Sequence, residues 1–305
     1  RIGGGLLDNS GPWQVLTPWP NAWWNLNVQL SYWSVYASNR LVLGMPLVNA
    51  IGSNLNNLIN NVPEAYRKDA AALPVATDFN LIGETVNIPG TEKKAQVGNL
   101  PWICHNLWLQ YRFSMDESIL RNTIFPTLRR AINFYLPFLK EDKQEKLHLQ
   151  RTFSPEYGIA EDCNYDIALL RWGCNTLLET TKILSIDDEL IPRWKQVIEK
   201  LTDYPQDANG MMIGKDVPFS RSHRHYSHLL MFYPLYLLNI EQNENKELLE
   251  KSVEHWLSIP GNILGFSNTG ASSLYAAAGE GNKALEKLKG LFALALRPNT
   301  MYMES

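Results

Sequence analysis

The sequence predicts an all-α fold in which helical hairpins stack into a closed toroid, leaving a cleft at the loop end. Three observations predict it. Apolar residues recur at helical spacing along most of the 305-residue chain. Several of these segments are apolar on two sides, as helices packed between neighbours must be. Only short stretches, Lys146–Phe153 and Met211–Ile213, look extended. No repeat of fixed period appears, which argues against a solenoid. No linker composition separates two domains, so residues 1–305 are read as one helical domain, with 1–27 as a loop-rich entry segment.

Taken in order, helices are expected at roughly 28–38, 41–60, 64–73 and 102–113, with Asn27 a suitable N-cap for the first. Asp116 is a plausible N-cap for a stripe of Ile119, Leu120, Ile124, Leu128, Ala131, Ile132, Tyr135, Leu136 and Leu139, kinked at Pro126. Ser154-Pro155-Glu156 reads locally as N-cap, first helical residue and acidic first-turn residue. From Asn164 the stripe repeats at Ile167, Leu170, Cys174, Leu177 and Leu178. Asp187, Asp188 and Glu189 suit the first turn of a helix carrying Leu190, Trp194, Val197, Ile198 and Leu201. Further helices are expected at 225–238, 246–257, 270–279 and 282–296. The segments Gly3–Asn27, Thr77–Gly98 and Asp203–Ser222 are too long for plain connectors, and their aromatic content argues for structured, functional loops.

Composition excludes several classes. Hydrophobic residues make up 45% of the chain and charged residues 19%, ample for a core and unlike a disordered chain. Lys+Arg number 28 against 31 Asp+Glu, and no cluster of positive charge is visible of the kind a nucleic-acid groove needs. The longest apolar run, Leu229 to Leu238, contains Pro234 and falls well short of the ~20 residues that span a bilayer, so no membrane insertion is expected. Cys163 and Cys174 on one helix would lie ~16 Å apart, too far to bridge, and no CxxC pair offers a thiolate metal knuckle. The start at Arg1 and the stop after Ser305 read as a processed or excised piece, incomplete at its C-terminus.

Ten Trp, 13 Tyr and ten Phe are the unusual count. Most such rings pack in cores, but flat rings with a polar edge also form walls of a sugar-binding cleft. Three loop clusters carry the chemistry-bearing residues: Trp23-Trp24-Asn25-Leu26-Asn27, Ser154-Pro155-Glu156, and His223-Arg224-His225-Tyr226-Ser227-His228. The last contains HxHxxH, a spacing used for zinc pairs in the metallo-β-lactamase superfamily. That superfamily has Asp where Ser227 stands and sets the motif after a strand, so a His-based metallohydrolase is the lesser alternative.

The same clusters, in order, carry a resemblance. Asn25-Leu26-Asn27-Val28-Gln29-Leu30-Ser31-Tyr32-Trp33, the Ser154-Pro155-Glu156 turn and His223–His228 resemble the landmarks of glycoside hydrolase family 95, the inverting α-L-fucosidases and related α-L-galactosidases. Pro101-Trp102-Ile103-Cys104-His105-Asn106-Leu107-Trp108, Gly265-Phe266-Ser267 and Asn282-Lys283-Ala284 fit the surrounding text. The resemblance implies an (α/α)6 barrel, the six-hairpin glycosidase fold. About ten or eleven expected helices against twelve in a full ring fit the truncation.

The resemblance also implies roles. Glu156 matches the general acid that protonates the glycosidic oxygen, and such an acid calls for an apolar, desolvated surround, which Phe153, Tyr157 and Trp102 are expected to supply. Asn25 and Asn27 match the amides that position the attacking water; two residues apart on an extended segment, their side chains share a side. Trp23, Trp24 and Trp102 are expected as walls, and His105, Arg151, His223, Arg224, His225 and His228 as ligands of sugar hydroxyls. The implied partner is an oligosaccharide or glycan substrate, with no metal or organic cofactor and a periplasmic or extracellular location. The family's carboxylate behind the asparagines lies in a motif that has no match before Ser305. Either the chain is cut short, or Glu304, Asp162 or Glu161 substitutes, or the protein is a carbohydrate-binding relative without catalysis.

Overall fold

Eleven α-helices and four two-stranded ribbons make up the regular structure of the described residues, which are 5–6 and 22–299 of this computed structural model. Most of the entry segment, with Trp13 and Trp19, and the candidate acid Glu304 lie outside them. The chain divides into two compact units, residues 1–152 with 169–202, and residues 153–168 with 203–305.

In the first unit, α1 (Asn27–Ala37), α2 (Met45–Ser53), α3 (Leu55–Asn60) and α4 (Asn99–Ser114) come first. The continuous helix expected over 41–60 is interrupted. A 3₁₀ turn covers Leu41–Leu43, and the Asn54 amide donates to the Ala50 carbonyl at 2.8 Å, capping α2 and ending it. The helix expected at 64–73 reduces to a 3₁₀ turn, Glu64–Tyr66. Ala70 to Leu73 instead run through the core as irregular chain, Ala71 and Ala72 donating their N–H groups to the carbonyls of Arg130 and Leu58. Pro74 disfavours the helical state for Leu73, and burial outweighs the local helical preference of the alanines. Helix α4 is buried at nearly every position from Asn99 to Tyr111, including Trp102, Ile103, Cys104 and Leu107.

The Asp116 stripe forms one helical run over 117–133 that changes type within it. Asp116 caps α5 (Glu117–Ile119), its carboxylate accepting from Ser118 N–H at 2.9 Å. A π-helical turn over Leu120–Ile124 then leads into α6 (Phe125–Asn133), placing Pro126 in a first turn where its missing N–H costs nothing. The extended segment around 147–154 forms as expected. β3 (Leu139–Glu141) pairs antiparallel with β4 (Leu147–Leu149), while β1 (Ala22–Trp23) pairs with β2 (Ala76–Thr77). Helix α7 (Asn164–Leu184) matches its stripe, and α8 (Ile191–Lys200) follows. The acidic triplet precedes α8 rather than entering it: Asp188 accepts from Leu190 N–H at 2.9 Å and pairs with Arg129, which also holds Asp69.

In the second unit, β5 (Thr152–Ser154) pairs with β6 (Gly158–Ala160), and β7 (Gln206–Asp207) with β8 (Gly210–Met211). Three helices, α9 (Asn243–Ser258), α10 (Gly265–Ala277) and α11 (Gly281–Ala295), complete it, close to their expected ranges. The expected helix at 225–238 does not form; only a 3₁₀ turn at Ser227–Leu229 does. Pro234 has no N–H to donate and disfavours helix at Tyr233, so Leu235 and Leu237 turn back onto the carbonyls of Leu230 and Met231. Cys104, Cys163 and Cys174 are buried. No helix among the described residues is long and apolar enough to cross a membrane.

Candidate functional site

Ser154-Pro155-Glu156 begins no helix. Tyr157 N–H returns to the Ser154 carbonyl at 2.9 Å, closing a turn with Pro155 at its first central position and Glu156 at its second, φ +55°. Pro followed by a positive-φ residue is the pattern of a type II turn, where Gly or Asn is usual. A glutamate there is held in a conformation that L side chains disfavour. The Pro–Glu order was the available sequence signal, since it fits a turn as well as a helix start.

Tyr157 anchors the turn. Its phenol oxygen accepts from the backbone N–H groups of Ser220 and Arg221 at 2.7 and 3.0 Å, and the Arg221 guanidinium lies 4.5 Å over its ring while donating to the Tyr157 carbonyl. The ring also meets Phe219 at 5.0 Å and His223 at 5.8 Å.

The His223–His228 segment comes to this turn. The Arg224 guanidinium ion-pairs with Glu156 Oε2, and His225 Nε2 lies 3.8 Å from the same oxygen. His223 Nε2 is 3.4 Å from the Pro155 carbonyl, and the two imidazoles stand 4.7 Å apart. Ser154 and Ser227 join hydroxyls at 2.9 Å. Behind the segment, Trp256 Nε1 donates to the His223 carbonyl at 2.7 Å, and Ser267 Oγ to the Arg224 carbonyl at 3.1 Å. Phe266 meets His225 edge-on and stacks on Tyr226. Gly270 gives that tyrosine room, since a Cβ there would collide with its ring. Sequence reasoning assigned no role to Tyr157's anchoring, Arg221, Trp256 or Phe266; only the Gly265-Phe266-Ser267 text hinted at the last.

Burial sets the charge states. Desolvation pushes His223 down to about 4, with help from Arg224 and Arg221, and lowers His225 well below the usual histidine range. Both rings are therefore neutral near pH 7, able to donate from one nitrogen and accept at the other. The Glu156 side chain is 39% exposed and paired with a cation. That differs from the apolar, desolvated surround expected, because Phe153 and Tyr157 are themselves buried and turn away from solvent while Glu156 sits at the turn's exposed tip.

His228 is not part of this group. It is 1% exposed and stacked on Phe219 at 4.6 Å, so it packs rather than opening to a sugar. The expected HxHxxH set is thus not the cluster that forms. Glu156, His223 and His225 instead offer ligand atoms within 4.8 Å of one another.

The other candidate walls, amides and sugar ligands belong to the first unit. Trp24 is fully buried, its Nε1 donating to Thr77 Oγ1 at 2.9 Å, so it is a core residue and not a cleft wall. Trp23 is half-buried in β1. Leu26 at φ +88° turns the chain into α1, so Asn25 and Asn27 are not on one extended segment. Asn25 is buried and Asn27, the first residue of α1, is exposed. Asn25 Oδ1 has no hydrogen-bond partner among the described residues. Trp102 and His105 are buried in α4, with His105 edge-on to Trp172 at 5.3 Å. Arg151 is exposed and pairs with Glu92 at 2.5 Å. Of the alternative supporting acids, Asp162 is buried at φ +47° and Glu161 exposed.

Comparison with known proteins gives a consistent answer. The model of the glycosyl hydrolase family 95 catalytic domain matches residues 10–304. Over 96% of its length the chain is 24% identical to "Alpha-L-fucosidase 2" of Arabidopsis thaliana, and over 83% it is 23% identical to "Probable alpha-fucosidase A" of Aspergillus niger. It spans only about a third of either relative, 36% and 34%. A solved structure, "Putative kojibiose phosphorylase from human microbiome", superposes with a TM-score of 0.58 at 13% identity, covering 89% of this chain and 44% of that one. That likeness carries the fold class, all-α of the (α/α)6 type.

Proposed function

The chain belongs to glycosyl hydrolase family 95, and from that premise we propose that it is a single catalytic domain, acting in the periplasm or outside the cell, that cleaves an α-L-fucoside or related α-L-glycoside with inversion and Glu156 as general acid. The observation that carries this is Glu156 itself, held at positive φ on a turn tip with Arg224, His225 and His223 gathered round its carboxylate.

A general acid delivers its proton to the leaving oxygen as the bond breaks. Arg224 donates to Oε2, which leaves Oε1 for the proton that the acid delivers. A sugar hydroxyl offers the guanidinium another acceptor, which makes Arg224 a substrate ligand as well as a partner of Glu156. The neutral imidazoles of His223 and His225 remain as hydroxyl ligands. An inverting mechanism also needs a held water. Asn25, whose buried Oδ1 needs a donor, and Asn27 fill that role in this reading. Trp23, Trp102, His105 and Arg151 are the remaining sugar-contact assignments.

The test is Glu156→Gln on two α-L-fucosides. With an alkyl or sugar leaving group, which needs protonation, kcat should fall by about 10²–10⁴. With an aryl group that leaves as a stable phenolate, the loss should be much smaller. Equal losses on both substrates, or none, would remove Glu156 from the acid's role.

A further inference from the structure

We propose that Glu156, His223 and His225 form a capture site for a borderline-soft divalent cation, Zn²⁺, which silences hydrolysis by coordinating the carboxylate. This regulation rests on the reading of Glu156 as the acid: a carboxylate bound to zinc holds no proton to deliver.

Two imidazoles and one carboxylate are a donor set zinc accepts, whereas Ca²⁺ and Mg²⁺ favour all-oxygen shells. The three ligand atoms already lie within 4.8 Å of one another, and His225 Nε2 stands 3.8 Å from Glu156 Oε2. Around a tetrahedral zinc with ligands ~2.0–2.1 Å away, neighbouring donor atoms are ~3.4 Å apart, so the histidine–glutamate pair needs little movement. The carboxylate is exposed at the turn tip, giving an ion access, while the histidines are buried behind it.

Two features make the ion a visitor and not a resident. Arg224 already holds Glu156 with a positive charge, so zinc must displace it; the guanidinium side chain is one-third exposed and can swing to solvent. His225 Nδ1 is buried without a hydrogen-bond partner among the described residues. Resident zinc sites orient each histidine by an acceptor on its far N–H, and lacking one costs about 10–100-fold in affinity. The arrangement suits an exchangeable ion that displaces Arg224 and competes with substrate for Glu156.

The experiment is calorimetric titration of ZnCl₂ into the metal-free chain, with Co²⁺ absorption reporting tetrahedral nitrogen and oxygen ligation. One equivalent is expected, weakened at least tenfold in His225→Ala. Arg224→Gln should bind about tenfold more tightly because a competing cation is gone. A misfolded variant cannot produce that gain. Absence of saturable binding, or equal affinity in both variants, overturns the site. Stoichiometric binding without matching, chelator-reversible inhibition overturns the silencing. Full activity of Glu156→Gln would instead strike the acid assignment, whatever the calorimeter reads.

Discussion

The hydroxyls of Ser154 and Ser227 meet at 2.9 Å in a buried position, joining the turn that presents Glu156 to the segment that carries His223, Arg224 and His225. Neither serine can touch substrate from there. Their bond fixes where the carboxylate stands relative to its cation. Removing one hydroxyl strands the other in the interior, at a cost of about 1–3 kcal/mol, whereas removing both is close to neutral. Ser154→Ala and Ser227→Ala should therefore each lower the unfolding free energy, and the double variant should be more stable than the sum predicts. Urea denaturation of the four proteins measures the coupling.

Glu156 at φ +55° should be a stability liability kept for its chemistry. Glu156→Ala and Glu156→Gly remove the same carboxylate and the same ion pair. In a left-handed turn position glycine avoids the Cβ clash that alanine retains, so Glu156→Gly should be the more stable by about 1 kcal/mol. The opposite order, normal for helices, would mean that the turn relaxes in solution and the strain is not held.

Much of the fold was legible because long helices carry long records: α4, α7, α9, α10 and α11 each spread their apolar positions over three or more turns. The misses are places where a short local signal had two readings. Pro155-Glu156 fits a helix start and a type II turn equally. The Leu229–Leu238 run has helical composition, yet Pro234 denies it the hydrogen bonds. Leu26 at positive φ, which parts Asn25 from Asn27, is invisible in a residue that disfavours that conformation. Of the site, the gathering of Glu156 with His223, Arg224 and His225 was legible only as motifs in order. Trp24 and His228 looked the same in sequence whether they faced a sugar or the core, since tryptophan and histidine serve both.

The buried His228 should make stability fall in acid. Burial lowers it to about 3, and His223 and His255, which face it, push in the same direction. The unfolded chain takes up this proton as pH drops below about 6.5, while the folded chain does not until near 3. The contribution is thus complete above 6.5 and is lost progressively between those values, with a slope approaching about 1.4 kcal/mol per pH unit for this one group. His228→Phe keeps a ring against Phe219 and cannot titrate, so its unfolding free energy should vary less steeply from pH 6 to 4. An unchanged slope would show that His228 gains its proton without unfolding.

The stereochemical outcome bears on the two asparagines. If Asn25 and Asn27 hold the water, attack comes from the face opposite the leaving group. Proton NMR of an α-L-fucoside digest should then show the β-anomer first, with the α-anomer appearing only by mutarotation. Asn25→Ala should lower kcat by about 10²-fold or more and spare the fold, because its buried Oδ1 has no partner among the described residues to lose. The exposed Asn27 should be equally silent in thermal unfolding when changed to Ala. An α-anomer as first product would assign retention, and with it a nucleophile in place of the asparagine-held water.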